Sequence, residues 1–172
     1  MQKNVEKFGI SDKRGRVRTS VDPFVSDEGF REPALCKTCQ TYFHHKRWMN
    51  NPKTYTQLKS DPNVHWVICP ACQKIAEGYP EGILTLSGSY LWEHEDEIRR
   101  LLKNEESKAN GRNPQERVIR TTRQEETLVI ETTEQRLAEH LGRVLQRAHQ
   151  GELKINWGAG PDICRVNWER ML

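Results

Sequence analysis

The sequence predicts an α+β protein, and three observations predict it. Four of the five cysteines fall into two CxxC pairs in the N-terminal half, Cys36-x-x-Cys39 and Cys69-x-x-Cys72. Beyond residue 80 the apolar residues alternate between a strand period and a helix period within one stretch of chain. Late in that stretch Leu137, Leu141, Val144, Leu145 and Ala148 form one apolar stripe, as a helix packed on a core requires. The chain has 172 residues, 35% hydrophobic and 30% charged, which is one domain's worth or two small ones. A mean hydropathy of -0.86 predicts a modest core and some unpacked chain.

The elements follow in order. Residues 1–31 hold few large apolar side chains and are broken at Ser11-Asp12-Lys13-Arg14-Gly15-Arg16 and Val21-Asp22-Pro23, so they read as a flexible basic arm. Residues 32–80 carry both CxxC pairs with Tyr42, Phe43, Trp48, Tyr55 and Trp66 around them. Too few aliphatic residues are present for a core, so a metal is expected to nucleate this module. Residues 81–172 form the α+β domain. Ile83-Leu84-Thr85-Leu86-Ser87-Gly88 reads as a strand, and 92–106, with Ile98, Leu101 and Leu102 at helical spacing, as a helix. Residues 108–114 read as a polar connector, and 117–123 and 127–132 as a hairpin turning at Gln124-Glu125-Glu126.

Thr132 with Gln135 has the form of a capping box for the striped helix, and Gly151 stands as its stop. Leu153, Ile155 and Trp157 alternate with polar residues, and so do Cys164, Val166 and Trp168, giving two closing strands whose apolar residues belong to the core. The order strand, helix, strand, strand, helix, strand fits a ferredoxin-like, split βαβ sheet with an extra C-terminal strand; a KH-like arrangement uses similar elements.

The two CxxC pairs are separated by residues 40–68. Each CxxC sets two thiolates on one tight turn, and two such turns complete the tetrahedral four-sulfur shell of a structural zinc site, with Cys36, Cys39, Cys69 and Cys72 as ligands. A closed shell of this kind leaves no open position for substrate, so the expected role is structural and the expected protein is not an enzyme. Iron in the same shell is the alternative, because Trp66-Val67-Ile68-Cys69-Pro70-Ala71-Cys72 resembles rubredoxins. Rubredoxins carry a glycine after each knuckle, where this chain has Gln40 and Gln73, and they are acidic where this segment is basic. His44, His45 and His65 lie near the knuckles, but four cysteines make them surplus as ligands. Cys164, on the apolar side of its strand, reads as a buried structural thiol.

Charge is uneven. Residues 1–20 set Lys3, Lys7, Lys13, Arg14, Arg16 and Arg18 against Glu6 and Asp12; residues 36–80 set Lys37, Lys46, Arg47, Lys53, Lys59 and Lys74 against Asp61 and Glu77. Residues 81–172 are slightly acidic. A polyanion-facing surface therefore belongs in the N-terminal half, with Lys13, Arg14, Arg16, Arg18, His45, Lys46, Arg47 and Trp48 as candidate RNA contacts. Trp48 either stacks on a base or packs on the metal knuckle, and both remain open on sequence alone. The candidate strands of the α+β domain, 83–86 and 128–131, hold no aromatic residue, so base stacking on that sheet is not expected. The acidic run Glu93-His94-Glu95-Asp96-Glu97 suits the start of a helix better than a metal. No apolar run approaches a membrane span of about 18 residues, and the first residues lack the apolar stretch of a secretory signal, so a cytoplasmic location is expected.

Beyond the knuckles, an ordered series of short motifs resembles the bacterial NMD-type zinc proteins, small proteins with a four-cysteine module ahead of an α+β domain. The motifs are Glu32-Pro33, Lys46-Arg47-Trp48, Cys69-Pro70-Ala71-Cys72, Ile83-Leu84-Thr85-Leu86-Ser87-Gly88, Glu97-Ile98, Asn104-Glu105-Glu106, Glu131-Thr132-Thr133 with Leu137-Ala138, and Arg165-Val166-Asn167-Trp168. The resemblance covers roughly residues 20–170. Two departures stand out: neither Cys39 nor Cys72 is followed by glycine, and Asn113-Pro114-Gln115 replaces a His-Pro-containing stretch. The resemblance implies association with RNA or the ribosome, by analogy with the export adaptors that give the family its name. The reading that results is a non-catalytic zinc-binding adaptor for RNA or the ribosome, without membrane or small-molecule substrate. A protein–protein adaptor using the α+β domain is the second reading.

Overall fold

The computed structural model describes residues 23–24, 29–158 and 163–172. Its N-terminal part is a small mixed sheet in the order β3-β2-β1-β4. Strand β1 (Ala34–Cys36) is buried throughout; it pairs antiparallel with β2 (Tyr42–His44) and parallel with β4 (His65–Val67), while β3 (Arg47–Met49) continues the meander from β2. The parallel pairing needs a crossover, and α1 (Pro52–Lys59) supplies it; its start is fixed by Asn51, whose side chain accepts from the Lys53 and Thr54 amides. Helix α2 (Pro70–Glu77) follows β4 directly. Pro70 opens it, where a missing N–H costs nothing, and Gly78 at φ 61 closes it, with the Tyr79 amide reaching Lys74 O at 2.9 Å.

The second sheet has the order β6-β7-β5-β9-β8. Its centre is β5 (Gly82–Ser87), antiparallel to β7 (Thr127–Thr132) and parallel to β9 (Cys164–Glu169); β6 (Val118–Gln124) and β8 (Glu152–Trp157) form the edges. β5 and β6 are parallel with β7 between them, and the chain runs from β5 to β6 through α3 (Ser89–Glu93) and α4 (Glu95–Arg112). A second, wider crossover through α5 (Gln135–His149) joins β7 to β8 around β5 and β9. The extra C-terminal strand thus sits inside the sheet, beside the first strand. Leu84, Leu86, Leu128, Ile130, Cys164, Val166 and Trp168 face one way and meet Ile98 and Leu102 of α4 and Leu137, Leu141 and Leu145 of α5. The opposite face carries Thr122, Val129, Thr85, Asn167 and Lys154 in one register row, and no aromatic residue.

Several expectations change in detail. The helix expected over 92–106 is two helices meeting at His94, and α4 runs on through residues expected as a polar connector. Glu95, Asp96 and Glu97 do occupy the first turn of α4, where the helix dipole favours acids. The capping box does not form: Thr132 ends β7, fully buried, and its hydroxyl donates to Glu134 O at 2.8 Å, so α5 starts without a side-chain cap. Ala148 is exposed rather than part of the stripe, and Gly142 is buried in its place. A Cβ there would stand 2.5 Å from Val166 Cγ1, so α5 lies close on β9. Trp157, expected in the core, is 49% exposed on edge strand β8, whereas Trp168 is fully buried and donates from Nε1 to Gln150 O.

Candidate metal centre

The register of β1 and β4 builds the site. Cys36 ends β1 opposite Val67, so the chain leaving β4 brings Cys69 alongside, and the Cys69 amide donates to Cys36 Sγ at 3.3 Å. A tight turn after Cys36, held by the Cys36 amide on Thr41 O at 2.9 Å, returns Cys39 to the same point. Cys69 is the N-cap of α2 and Cys72 lies in its first turn, with the Cys72 amide donating to Cys69 Sγ at 3.4 Å. All four sulfurs lie within 4.8 Å of one another. Cys39 and Cys69 are 3.6 Å apart, close to the roughly 3.8 Å that a tetrahedral shell with bonds of about 2.3 Å requires. All five cysteines are free thiols.

The donor set has the chemistry of a thiolate metal site. Cys36 also receives the Thr38 amide at 3.4 Å, and Cys39 shares a hydrogen bond with the Thr41 hydroxyl at 3.0 Å. Thiol hydrogen bonds from Cys39 and Cys69, aided by these amides, hold Cys36 far below the usual thiol range. Sharing with Cys36 and Cys39, together with burial, pushes Cys69 up, and burial beside the Cys39 charge pushes Cys72 up to about 11. The cluster thus carries protons that a divalent cation would displace. The four residues could hold a metal ion with a closed shell of sulfur, and no histidine joins the cluster among the described residues.

The α+β domain reaches into the second knuckle. The Ala71 amide donates to Gln115 Oε1 at 2.9 Å, and Arg117 Nη1 donates to Cys72 Sγ at 3.3 Å. Thr133, fully buried, pins the segment carrying both residues: it accepts from the Arg117 amide at 2.9 Å and donates to Gln115 O at 2.6 Å. Lys74, on α2, is 0% exposed; its Nζ meets Glu81 at 2.9 Å, Thr133 O at 3.2 Å and Glu134 at 3.5 Å. The sequence counted Lys74 among the cations of the basic module, and this is corrected: its charge is spent inside. The sequence did not mark Gln115, Arg117 or Thr133 as site residues, because a polar side chain reads as solvated until the partner that buries it is known.

The other expected contacts divide. His45 and Lys46 form the two-residue tip between β2 and β3, both exposed and both at positive φ (51 and 61). Glu32 braces this tip, accepting from the Lys46 amide at 2.6 Å and lying 3.7 Å from His44 Nδ1. Arg47 is exposed. Trp48 is only 9% exposed, with ring centres 5.1 Å from Phe30 and 5.4 Å from Phe43, so it packs beside the cysteines and has little ring surface to offer a base. Lys13, Arg14, Arg16 and Arg18 lie outside the described residues. Cys164 is fully buried, and burial pushes its thiol up to about 11, which suits an inert core residue.

Fold and site together define a mixed α+β protein with a four-cysteine cluster able to hold a metal. No family model, no curated protein and no solved structure matches the chain. No helix of the described residues is long and apolar enough to cross a membrane.

Proposed function

We propose that the protein is a non-catalytic, cytoplasmic zinc-binding adaptor that associates with RNA or the ribosome, with zinc held by Cys36, Cys39, Cys69 and Cys72 on a zinc-ribbon-like module. The observation that carries this reading is the exposed charge of the four-cysteine module: Lys37, Lys46, Arg47, Lys53 and Lys59 all face solvent, against Glu32, Asp61 and Glu77. The tip presents Lys46 and Arg47 from a turn that Glu32 braces, and such pre-ordering lowers the ordering cost of binding. The basic arm with Lys13, Arg14, Arg16 and Arg18 adds to the same charge. The resemblance to the NMD-type zinc proteins, with a ferredoxin-like domain behind the module, supports the same role. Gln40 and Gln73 after the knuckles, and the basic charge of the segment, where rubredoxins carry glycine and are acidic, favour structural zinc over redox iron.

The second reading, a protein adaptor without nucleic acid, is favoured by one observation. Trp66, Ile68 and Tyr79 are exposed on the module at 42%, 45% and 38%, more apolar surface than phosphate contacts use. A sucrose gradient of lysate containing tagged protein, at low and high salt and with and without RNase, separates the two. Co-migration with a ribosomal particle that is lost at high salt supports the RNA reading. Migration at the top of the gradient under every condition overturns it in favour of the protein adaptor.

A further inference from the structure

Beside the segment that carries Gln115 and Arg117 to the second knuckle lies a cavity of about 360 Å³, bounded by Ala109, Arg112 and Asn113 at the end of α4, Glu116 beyond it, and Arg136 and His140 on α5. Arg112 on α4 and Arg136 on α5 line it from different helices. Both side chains are exposed, and among the described residues neither Arg112 nor Arg136 forms an ion pair, whereas Arg99, Arg120 and Arg143 each pair with a neighbouring glutamate. Glu116 is the one carboxylate in the lining. Cations left unpaired around a concave surface are ready to pay for the capture of a dianion, since a guanidinium fork matches phosphate oxygens two at a time.

The remaining lining residues suit the body of such a ligand. His140 has Nε2 engaged by Glu105 Oε2 at 2.9 Å, which fixes the ring and leaves Nδ1 as the nitrogen for a ligand. Asn113 uses Oδ1 to accept the Gln115 amide at 3.1 Å, so its Nδ2 is the group left to donate. Ala109, 2% exposed, makes an apolar floor, and Glu116 can accept from a hydroxyl or an amine. The volume lies in the lower part of the range for small-molecule sites.

We propose that this cavity binds a small phosphate ester of the nucleoside monophosphate class, with Arg112 and Arg136 on the phosphate and Asn113, Glu116 and Ala109 on the body. The cavity shares no lining residue with the four-cysteine cluster, and the proposal does not rest on the RNA reading of the module. A free nucleotide needs only this cavity.

The test is titration of the full-length, zinc-loaded protein with inorganic phosphate, adenosine 5′-monophosphate and adenosine, followed by calorimetry and by amide chemical shifts. The monophosphate is expected to shift Ala109, Asn113, Glu116 and His140, with phosphate weaker and adenosine weaker still. Arg112→Ala and Arg136→Ala should each weaken monophosphate binding roughly tenfold, the loss of one charge-assisted contact. Arg143→Ala, on the same helix but paired with Glu139, should change nothing. Adenosine binding as tightly as its monophosphate would overturn the phosphate assignment, and phosphate binding as tightly as the monophosphate would overturn the ester. Undiminished binding in the Arg112→Ala/Arg136→Ala double variant, or no shifts at these residues with any of the three probes, would sink the site itself.

Discussion

Arg117 and Cys72, 45 residues apart, meet at 3.3 Å with the guanidinium donating to the sulfur. A cation from the α+β domain therefore sits on a ligand atom of the four-cysteine cluster. Groups of this kind offset the excess negative charge of a four-thiolate shell and orient its sulfurs. Arg117→Ala removes the guanidinium but keeps the backbone bonds of residue 117 to Thr133. The expected outcome is about tenfold weaker metal binding, the low end of what outer-shell partners contribute, with little change in helix content. Competition against a chromophoric chelator measures it, and an unchanged affinity would make the contact incidental.

Metal binding should be steeply pH-dependent, with a sign fixed by the thiols. Burial raises Cys72 to about 11 and Cys69 is raised as well, so both hold protons at neutral pH in the metal-free protein. A metal must displace those protons. Affinity therefore rises with pH below the raised thiol range, and falls as acid is added. Calorimetric titration in buffers of differing ionisation enthalpy should report net proton release at pH 7. Release close to zero would mean that the cluster is already fully ionised. Metal analysis of the same sample, colourless for zinc and red for iron, settles the ion.

Lys74 is expected to matter for stability far beyond its place in a basic segment. Fully buried between Glu81 and Glu134, it ties α2 to the residues that flank β5 and α5. Lys74→Met keeps the stem and removes the charge, leaving two carboxylates beside each other. Breaking a fully buried pair costs about 3–5 kcal/mol, and the partial exposure of both glutamates lowers this to about 2–3 kcal/mol. Urea denaturation of the metal-loaded protein reads the loss; the triple change with Glu81→Gln and Glu134→Gln should recover part of it. A Lys74→Met variant as stable as the parent would show that the ion pairs offset only their own desolvation.

How much of this was legible in the sequence depends on whether the signal was local. The alternation at Cys164, Val166 and Trp168 predicted a buried strand face and those residues are buried, as are Leu84, Leu86, Leu128 and Ile130 in the segments read as strands. The cysteine cluster was legible because CxxC spacing encodes its own geometry. Trp157 misled because edge strand β8 leaves it uncovered, and an alternation cannot say which strand is an edge. The insertion of β9 between β5 and β8 was hidden for the same reason, since pairing order is non-local. Lys74, Gln115 and Arg117 were invisible as site residues: a charged or amide side chain in a polar stretch reads as solvated until the partner that buries it is known.

The charged tip gives the sharpest test of the RNA reading. Lys46 and Arg47 are exposed at the turn between β2 and β3, and neither is needed for the core beneath them, where Trp48 packs against Phe30 and Phe43. Lys46→Ala/Arg47→Ala should therefore leave thermal stability within about 0.5 kcal/mol, as for other surface changes. If both side chains contact phosphates of single-stranded RNA, each contributes about 0.7 to the slope of log K against log salt, so the double variant should flatten that slope by about 1.4. Trp48→Ala is the contrasting control, because loss of a packed Trp costs about 3–5 kcal/mol and unfolds the module before it reports on binding. Trp66→Ala separates the two functional readings on the same protein. Its ring is 42% exposed on edge strand β4, so the change spares stability. An unchanged RNA affinity with loss of a protein partner would assign the exposed apolar edge to protein binding. An unchanged salt slope in the Lys46→Ala/Arg47→Ala variant would remove the tip from any phosphate contact and leave RNA binding to the arm and to Lys37, Lys53 and Lys59.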